Sequence, residues 1–314
     1  MDEIITNTGT APHSGADDTT AADAVIRVSG LGFSYGDFDA VSGVDLIVRR
    51  GELYALLGTN GAGKTTTLEV LEGHRRPTAG TVEVLGGDPT DRSHTRKRMG
   101  IMLQDSGLPG EMTVRESVRL AGAVSGRDDD VDDVLARVGI DSKSGTRVAQ
   151  LSGGEKRRVD FAMAVWGTPE LVFLDEPTTG LDPQARDDLW ALVGRLREQG
   201  VTFVLTTHYL EEAERYADRV GLMHRGSIRR EGTVAELTAG ATTTIRFVSP
   251  CPLDELPLAA AGTENGLAVI PTDDPQRDAS VLLTWASERG FALDRFSTHE
   301  TGLDDVFRLL GQAS

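Results

Sequence analysis

The octapeptide Gly58-Thr59-Asn60-Gly61-Ala62-Gly63-Lys64-Thr65 fits the pattern G-x-x-x-x-G-K-[ST], a spacing that suits it to cradle phosphate. Its glycines let backbone amides approach phosphate oxygens. Lys64 can reach the β and γ positions, and Thr65, followed by Thr66, offers a hydroxyl to Mg²⁺. The loop lies between the apolar run LYALLG and the helical pattern GKTTTLEVLEG, so a strand would deliver it and a helix N-terminus would complete it. A second chemical pair ends the run LVFLDE, which puts Asp175 and Glu176 at the carboxyl edge of a sheet, where α/β proteins bind ligands. Asp175 suits Mg²⁺, and Glu176 suits orienting or deprotonating an attacking water. The third element is Leu151-Ser152-Gly153-Gly154-Glu155. Ser152 and Glu155 have capping-box spacing, and a capped helix beginning with two glycines presents free amides and a positive dipole end to an anion.

Together these motifs resemble the ATP-binding cassette family, whose signature reads LSGGQ. The resemblance covers about residues 24–240 and implies an ATPase that uses ATP and Mg²⁺. It also implies that Leu151, Ser152, Gly153, Gly154 and Glu155 act on ATP held by a second subunit, in a homodimer or a heterodimer with a similar chain. The family's remaining elements follow in order. Tyr35, in FSYGDF, matches the aromatic that stacks on adenine. Gln104, in MLQDSGLPGEMTVRE, matches the glutamine that senses Mg²⁺ and water beside the surface met by a membrane subunit. Gly180-Leu181-Asp182 matches a loop crossing the dimer interface, and His208, in TTHYLEEAE, matches a histidine that contacts the γ-phosphate. The expected catalytic residues are therefore Glu176, His208 and Gln104, with Thr65, Gln104 and Asp175 at the metal. Tyr35 and Gly58 through Thr66 would hold ATP.

Two departures stand out: position 155 is Glu rather than Gln, and Thr59 replaces the usual Pro. A carboxylate aimed at ATP would repel it, so Glu155 is expected to point back along its helix as a cap. PTTGLDPQAR, THYLEEAERYADRV and the closing Leu303-Asp304-Asp305-Val306-Phe307 resemble the drug and antibiotic exporter branch. That branch pairs separate ATPase chains with a separate transmembrane permease, which would hold this chain at the inner face of the membrane. An importer ATPase, or a soluble ATPase of the same family acting on ribosomes or DNA, is the alternative.

The elements that must position these residues alternate as in an α/β core. AVIRVS (24–29), VDLIV (44–48) and TVEVL (81–85) predict an antiparallel group; LYALL (53–57), LVFLD (171–175), TFVLTT (202–207) and RVGLM (219–223) predict buried parallel strands. Helical patterns near 113–125, 130–139 and 152–166 predict a helical subdomain spanning about 104–167. In the last of them Val159, Ala162, Met163 and Trp166 form a buried stripe that leaves Lys156 and Arg157 more exposed. From about residue 241 an acidic segment, with 11 acids against 5 arginines, predicts a small α+β accessory domain for dimer support, regulation or docking. Its strand candidate is TTIRFV, its helix candidate ASVLLTWASERG.

The sequence of 314 residues is 39% apolar, enough for a substantial core. Residues 1–23 hold five acids and no Lys or Arg, and read as a disordered head. A single cysteine, Cys251, excludes an intrachain disulfide framework and fits a reducing cytoplasm. A formal charge of −17 opposes nucleic-acid binding, because the long-range field repels polyanions.

Overall fold

The computed structural model describes residues 23–95, 97–104, 107–239, 243–299 and 302–312; residues 1–22 of the expected head lie outside them. Strands β1 (Ala24–Tyr35) and β2 (Phe38–Arg49) lead to β3 (Leu53–Gly58), and helix α1 (Lys64–Leu71) precedes β4 (Ala79–Val84). After the short helix α2 (Arg92–Thr95) and β5 (Met99–Met102) come three helices: α3 (Val114–Ser125), α4 (Val131–Arg137) and α5 (Gly153–Val165). The chain then alternates through β6 (Leu171–Asp175), α6 (Pro183–Glu198), β7 (Thr202–Thr207), α7 (Leu210–Tyr216), β8 (Arg219–His224) and β9 (Ser227–Gly232), closing on α8 (Val234–Thr238).

Among the described residues the central sheet runs β5-β6-β7-β3-β8-β9, parallel as far as β8 and antiparallel at β9. Strands β3, β6 and β7 are buried at every residue, which is why their sequences read as continuous runs rather than alternating ones. The sheet β2-β1-β4 is antiparallel. β1 is longer than the predicted AVIRVS, because register shifts follow Val28 and Leu31 and interrupt the alternation that marks a half-buried strand.

The three helices of the insertion start on side-chain caps: a Thr113–Glu116 box, Asp130, and a Ser152–Glu155 box. Gly122 of α3 lies against the Trp166 indole, where an added Cβ would sit 2.5 Å from the ring. Only glycine lets the two helices approach so closely. Helix α5 departs from the sequence expectation at one residue, since Arg157 is buried, at 7% exposure. Phe161 and Ala164, four and seven positions on, are buried too, so the helix is enclosed on a second side and Arg157 falls inside it. Lys156 is half-buried.

The C-terminal segment forms β10 (Thr243–Val248), β11 (Gly262–Glu264), β12 (Leu267–Thr272), α9 (Pro275–Arg289), β13 (Asp294–His299) and α10 (Leu303–Gln312). Its antiparallel sheet runs β11-β12-β10-β13 over a small core of Ile245, Phe247, Ala268, Ile270 and Leu282. α10 instead returns to the main core, where Leu303 and Val306 pack in the cluster that holds Ala213, Val220 and Leu237. The Leu303 N–H donates to the Glu214 carboxylate of α7.

Candidate functional site

Strand β3 ends at Gly58 and α1 begins at Lys64, so the intervening loop turns over the carboxyl edge of the sheet. Gly63, at φ +104°, is the N-cap of α1, and it has no side chain to occupy the first amides. No acid stands in the first helical turn either. A helix N-terminus with neither cap nor acid leaves its amides and dipole available to an anion. An added Cβ at Gly58 would lie 2.7 Å from Met223 O, and one at Gly63 would lie 2.6 Å from Ala40 O, so the loop holds its shape only with glycine. Lys64 folds back along the loop, its Nζ donating to Gly58 O at 2.7 Å and Thr59 O at 3.2 Å. That spends two of three donors. Burial pulls its pKa below the usual lysine range, against the opposing charges of Glu176 and Asp175.

A cavity of about 400 Å³ opens over this loop, lined by Tyr35, Phe38, Ala40, residues 60–66, Gln104, Glu176 and His208. The size fits a small-molecule site. Asp175 lies just behind it, 4% exposed, with Thr206 Oγ1 donating to Oδ1. Burial pushes its carboxyl above the ordinary range, against the Thr206 hydrogen bond. Glu176 Oε2 accepts from Thr179 Oγ1 at 3.1 Å and pairs with His208 Nδ1 at 3.1 Å. Thr65, Gln104 and Asp175 make an oxygen donor set suited to a hard cation. No group of three or more His, Cys, Asp or Glu placed to hold a metal ion occurs among the described residues. Mg²⁺ here would therefore lean on phosphate oxygens, as that ion commonly does.

Of the residues expected at ATP, Gly58 and Thr59 shape the loop without lining the cavity. Leu151–Glu155 and Gly180–Asp182 are also absent from the lining. These two segments meet each other instead: an added Cβ on Gly154 would touch Ala185 and the Leu181 side chain. Asp182 caps α6, accepting from the Ala185 N–H at 2.8 Å. Glu155 Oε2 accepts from the Ser152 N–H at 2.8 Å and Oε1 meets Lys143 Nζ at 3.1 Å. The Ser152 amide, with Lys143, holds its pKa below the usual range. Glu155 thus points back along its helix, as its spacing predicts.

A daunorubicin resistance ATP-binding protein of Streptomyces coeruleorubidus is 36% identical over 302 residues, covering 91% of this chain and 95% of that one. The chain belongs to the ABC transporter ATP-binding family. The ABC transporter profile matches residues 41–179, and a profile for the C-terminal domain of ABC transporter domain-containing proteins matches residues 243–301. The Nod factor export ATP-binding protein I of Burkholderia lata is 39% identical over 294 residues, covering 88% of this chain and 94% of that one. Among solved structures, an ATP-binding subunit of an ABC transporter superposes with a TM-score of 0.63 at 29% identity, covering 68% of this chain and 91% of that one.

Besides Ala40 in the cavity wall, two residues of this ABC ATPase site escape a reading of the sequence. Phe38, 65% exposed, joins Tyr35 at the mouth of the cavity; its place three residues after Tyr35, across a tight turn, is the signal that could have found it. Arg157 is the other. In a test of the capping geometry, Glu155→Gln should change ATP turnover less than about threefold, because Gln closes the same box. A rise of about tenfold in turnover would mean that the side chain faces phosphate after all.

Proposed function

We propose that this chain is the ATP-hydrolysing subunit of an ABC exporter, working with Mg²⁺ as a head-to-tail dimer. A separate transmembrane permease would hold it at the inner face of the membrane and carry a drug, antibiotic or other small amphipathic molecule outward. The reading rests on one observation: the cavity gathers Lys64, Gln104, Glu176 and His208 of one chain but none of Leu151–Glu155. A helix start that opens on two glycines, with its cap on the third amide, and that stands apart from its own chain's cavity suits a nucleotide held by a second copy. The names of the relatives, resistance to daunorubicin and Nod factor export, support the direction of transport.

In this reading the α1 amides and Lys64 hold the β and γ phosphates, and Tyr35 takes the adenine. Mg²⁺, when bound beside Thr65, Gln104 and Asp175, supplies charge neutralisation at the phosphates. Thr179 and His208 both engage Oε2 of Glu176, which leaves Oε1 to orient the water and accept its proton. With Nδ1 turned to Glu176, His208 has Nε2 left for the γ-phosphate, to which it donates when the ring carries both protons.

No helix among the described residues is long and apolar enough to cross a membrane, so a membrane role needs a partner chain. Purified from detergent-solubilised membranes, the protein should bring with it a chain carrying membrane-spanning helices. Lys64→Ala should abolish efflux by that pair without separating it. Recovery of the chain alone, with unaltered efflux in the variant, would overturn the proposal.

A further inference from the structure

Arg157 is a buried cation that the chemistry above leaves without a task. Its guanidinium is aimed at main chain. Nη1 donates to Leu103 O at 2.8 Å and Gln104 O at 3.0 Å; Nη2 donates to Glu176 O at 2.7 Å and Asp175 O at 3.3 Å; Nε donates to Pro177 O at 3.2 Å. These acceptors belong to two segments, one carrying Gln104 and the other carrying Asp175 and Glu176. Asp160, on the next turn of α5, lies 3.7 Å from Nη1 and offsets the buried charge.

The backbone at Glu176 shows what the grip is for. Its φ of +46° is in the left-handed region, which disfavours any residue with a Cβ and persists only where the surroundings over-determine it. The Glu176 N–H donates to Thr206 O at 3.0 Å, and its carbonyl accepts from Arg157 on the other side. Without the second grip the peptide can rotate toward an ordinary conformation, and the carboxylate would swing with it. A planar fork with five N–H groups can hold both segments at once, whereas a lysine ammonium has three donors and no fixed plane.

We infer that Arg157 is a positioning residue for ATP hydrolysis. It locks the backbone of Gln104 to that of Asp175 and Glu176, so that the metal-facing and water-orienting groups keep one geometry. The inference rests on the roles proposed above for Glu176 and Gln104. It also gives α5 a second use, because the helix starts at Gly153, about 6 Å of rise before Arg157. Whatever docks at that start is thereby tied to the hydrolytic centre of the same chain.

The test compares Arg157→Met and Arg157→Lys in the full chain, with ATP affinity from equilibrium binding and kcat normalised to folded protein by circular dichroism. kcat should fall about 30-fold or more in Arg157→Met and less in Arg157→Lys, with the Kd for ATP within about threefold in both. Added to Glu176→Gln, Arg157→Met should lower the residual rate by a clearly smaller factor than it costs alone, since one of the groups it positions is already gone. A near-normal kcat in folded Arg157→Met, or losses that multiply in the double variant, would overturn the inference. If Arg157→Met does not fold, Arg157→Lys must show the same split between kcat and Kd, and its absence there overturns the inference as well. Near-normal turnover by Glu176→Gln alone is a different failure, one that removes the assignment of Glu176 itself.

Discussion

Glu176→Gln should bind ATP with a Kd within about threefold of the parent while kcat falls by about 10²-fold or more. The amide keeps the volume of the side chain and can still accept from Thr179 Oγ1, which now donates to Oε2 at 3.1 Å. What it loses is the capacity to take a proton. Binding should survive because the phosphate-facing donors belong to other residues: the α1 amides, Lys64 and Thr65. Equilibrium nucleotide binding and steady-state phosphate release separate the two effects, and a variant hydrolysing at a near-normal rate would remove Glu176 from the mechanism.

The second large effect concerns a covalently linked dimer in which one chain is unaltered and the other carries both Lys64→Ala and Ser152→Arg. Each composite site then lacks one half: one has lost the phosphate-facing lysine, the other the helix start that should close over the nucleotide. Turnover should fall below about 5% of the unaltered linked dimer if both halves are needed in every site. Lys64→Ala removes a cation that is 6% exposed and folded along its own loop, so its effect stays local, on that loop and on the Asp175 and Glu176 carboxylates whose charges it meets. Ser152→Arg puts a long cation at an exposed cap, where it should block docking without entering a core. A linked dimer that hydrolyses ATP at half the normal rate would mean that each site is complete within one chain.

Much of the fold was legible because its main strands are buried on both faces. LYALL, LVFLD and TFVLTT lie inside β3, β6 and β7, whose ends fall within a residue of those runs. β1 was read short because its register shifts break the alternation on which such a reading depends. Within the site, the loop at 58–65 was legible because its chemistry is local, set by glycines, one lysine and the flanking strand and helix. Arg157 was not. Its partners are main-chain carbonyls at 103, 104 and 175–177, and a carbonyl is present at every residue whatever the side chain. No residue type in those segments advertises the contact, and a charged residue one and a half turns into a helix ordinarily faces water. Phe38 was missed for a related reason, since its neighbour Tyr35 drew attention by chemistry while Phe38 contributes only position.

The return of α10 to the main core changes what kind of object the C-terminal sheet is. The polypeptide leaves the core beyond Thr238 and re-enters it at Leu303, whose side chain and that of Val306 are buried there. The stretch between is therefore an excursion of the core's own chain rather than a tail hung from it. A body joined to another at one point can turn about three axes; one pinned at two points keeps chiefly the axis through both. Any rocking about that line would bear on α7, the helix that receives the Leu303 amide through Glu214 and begins two residues after His208.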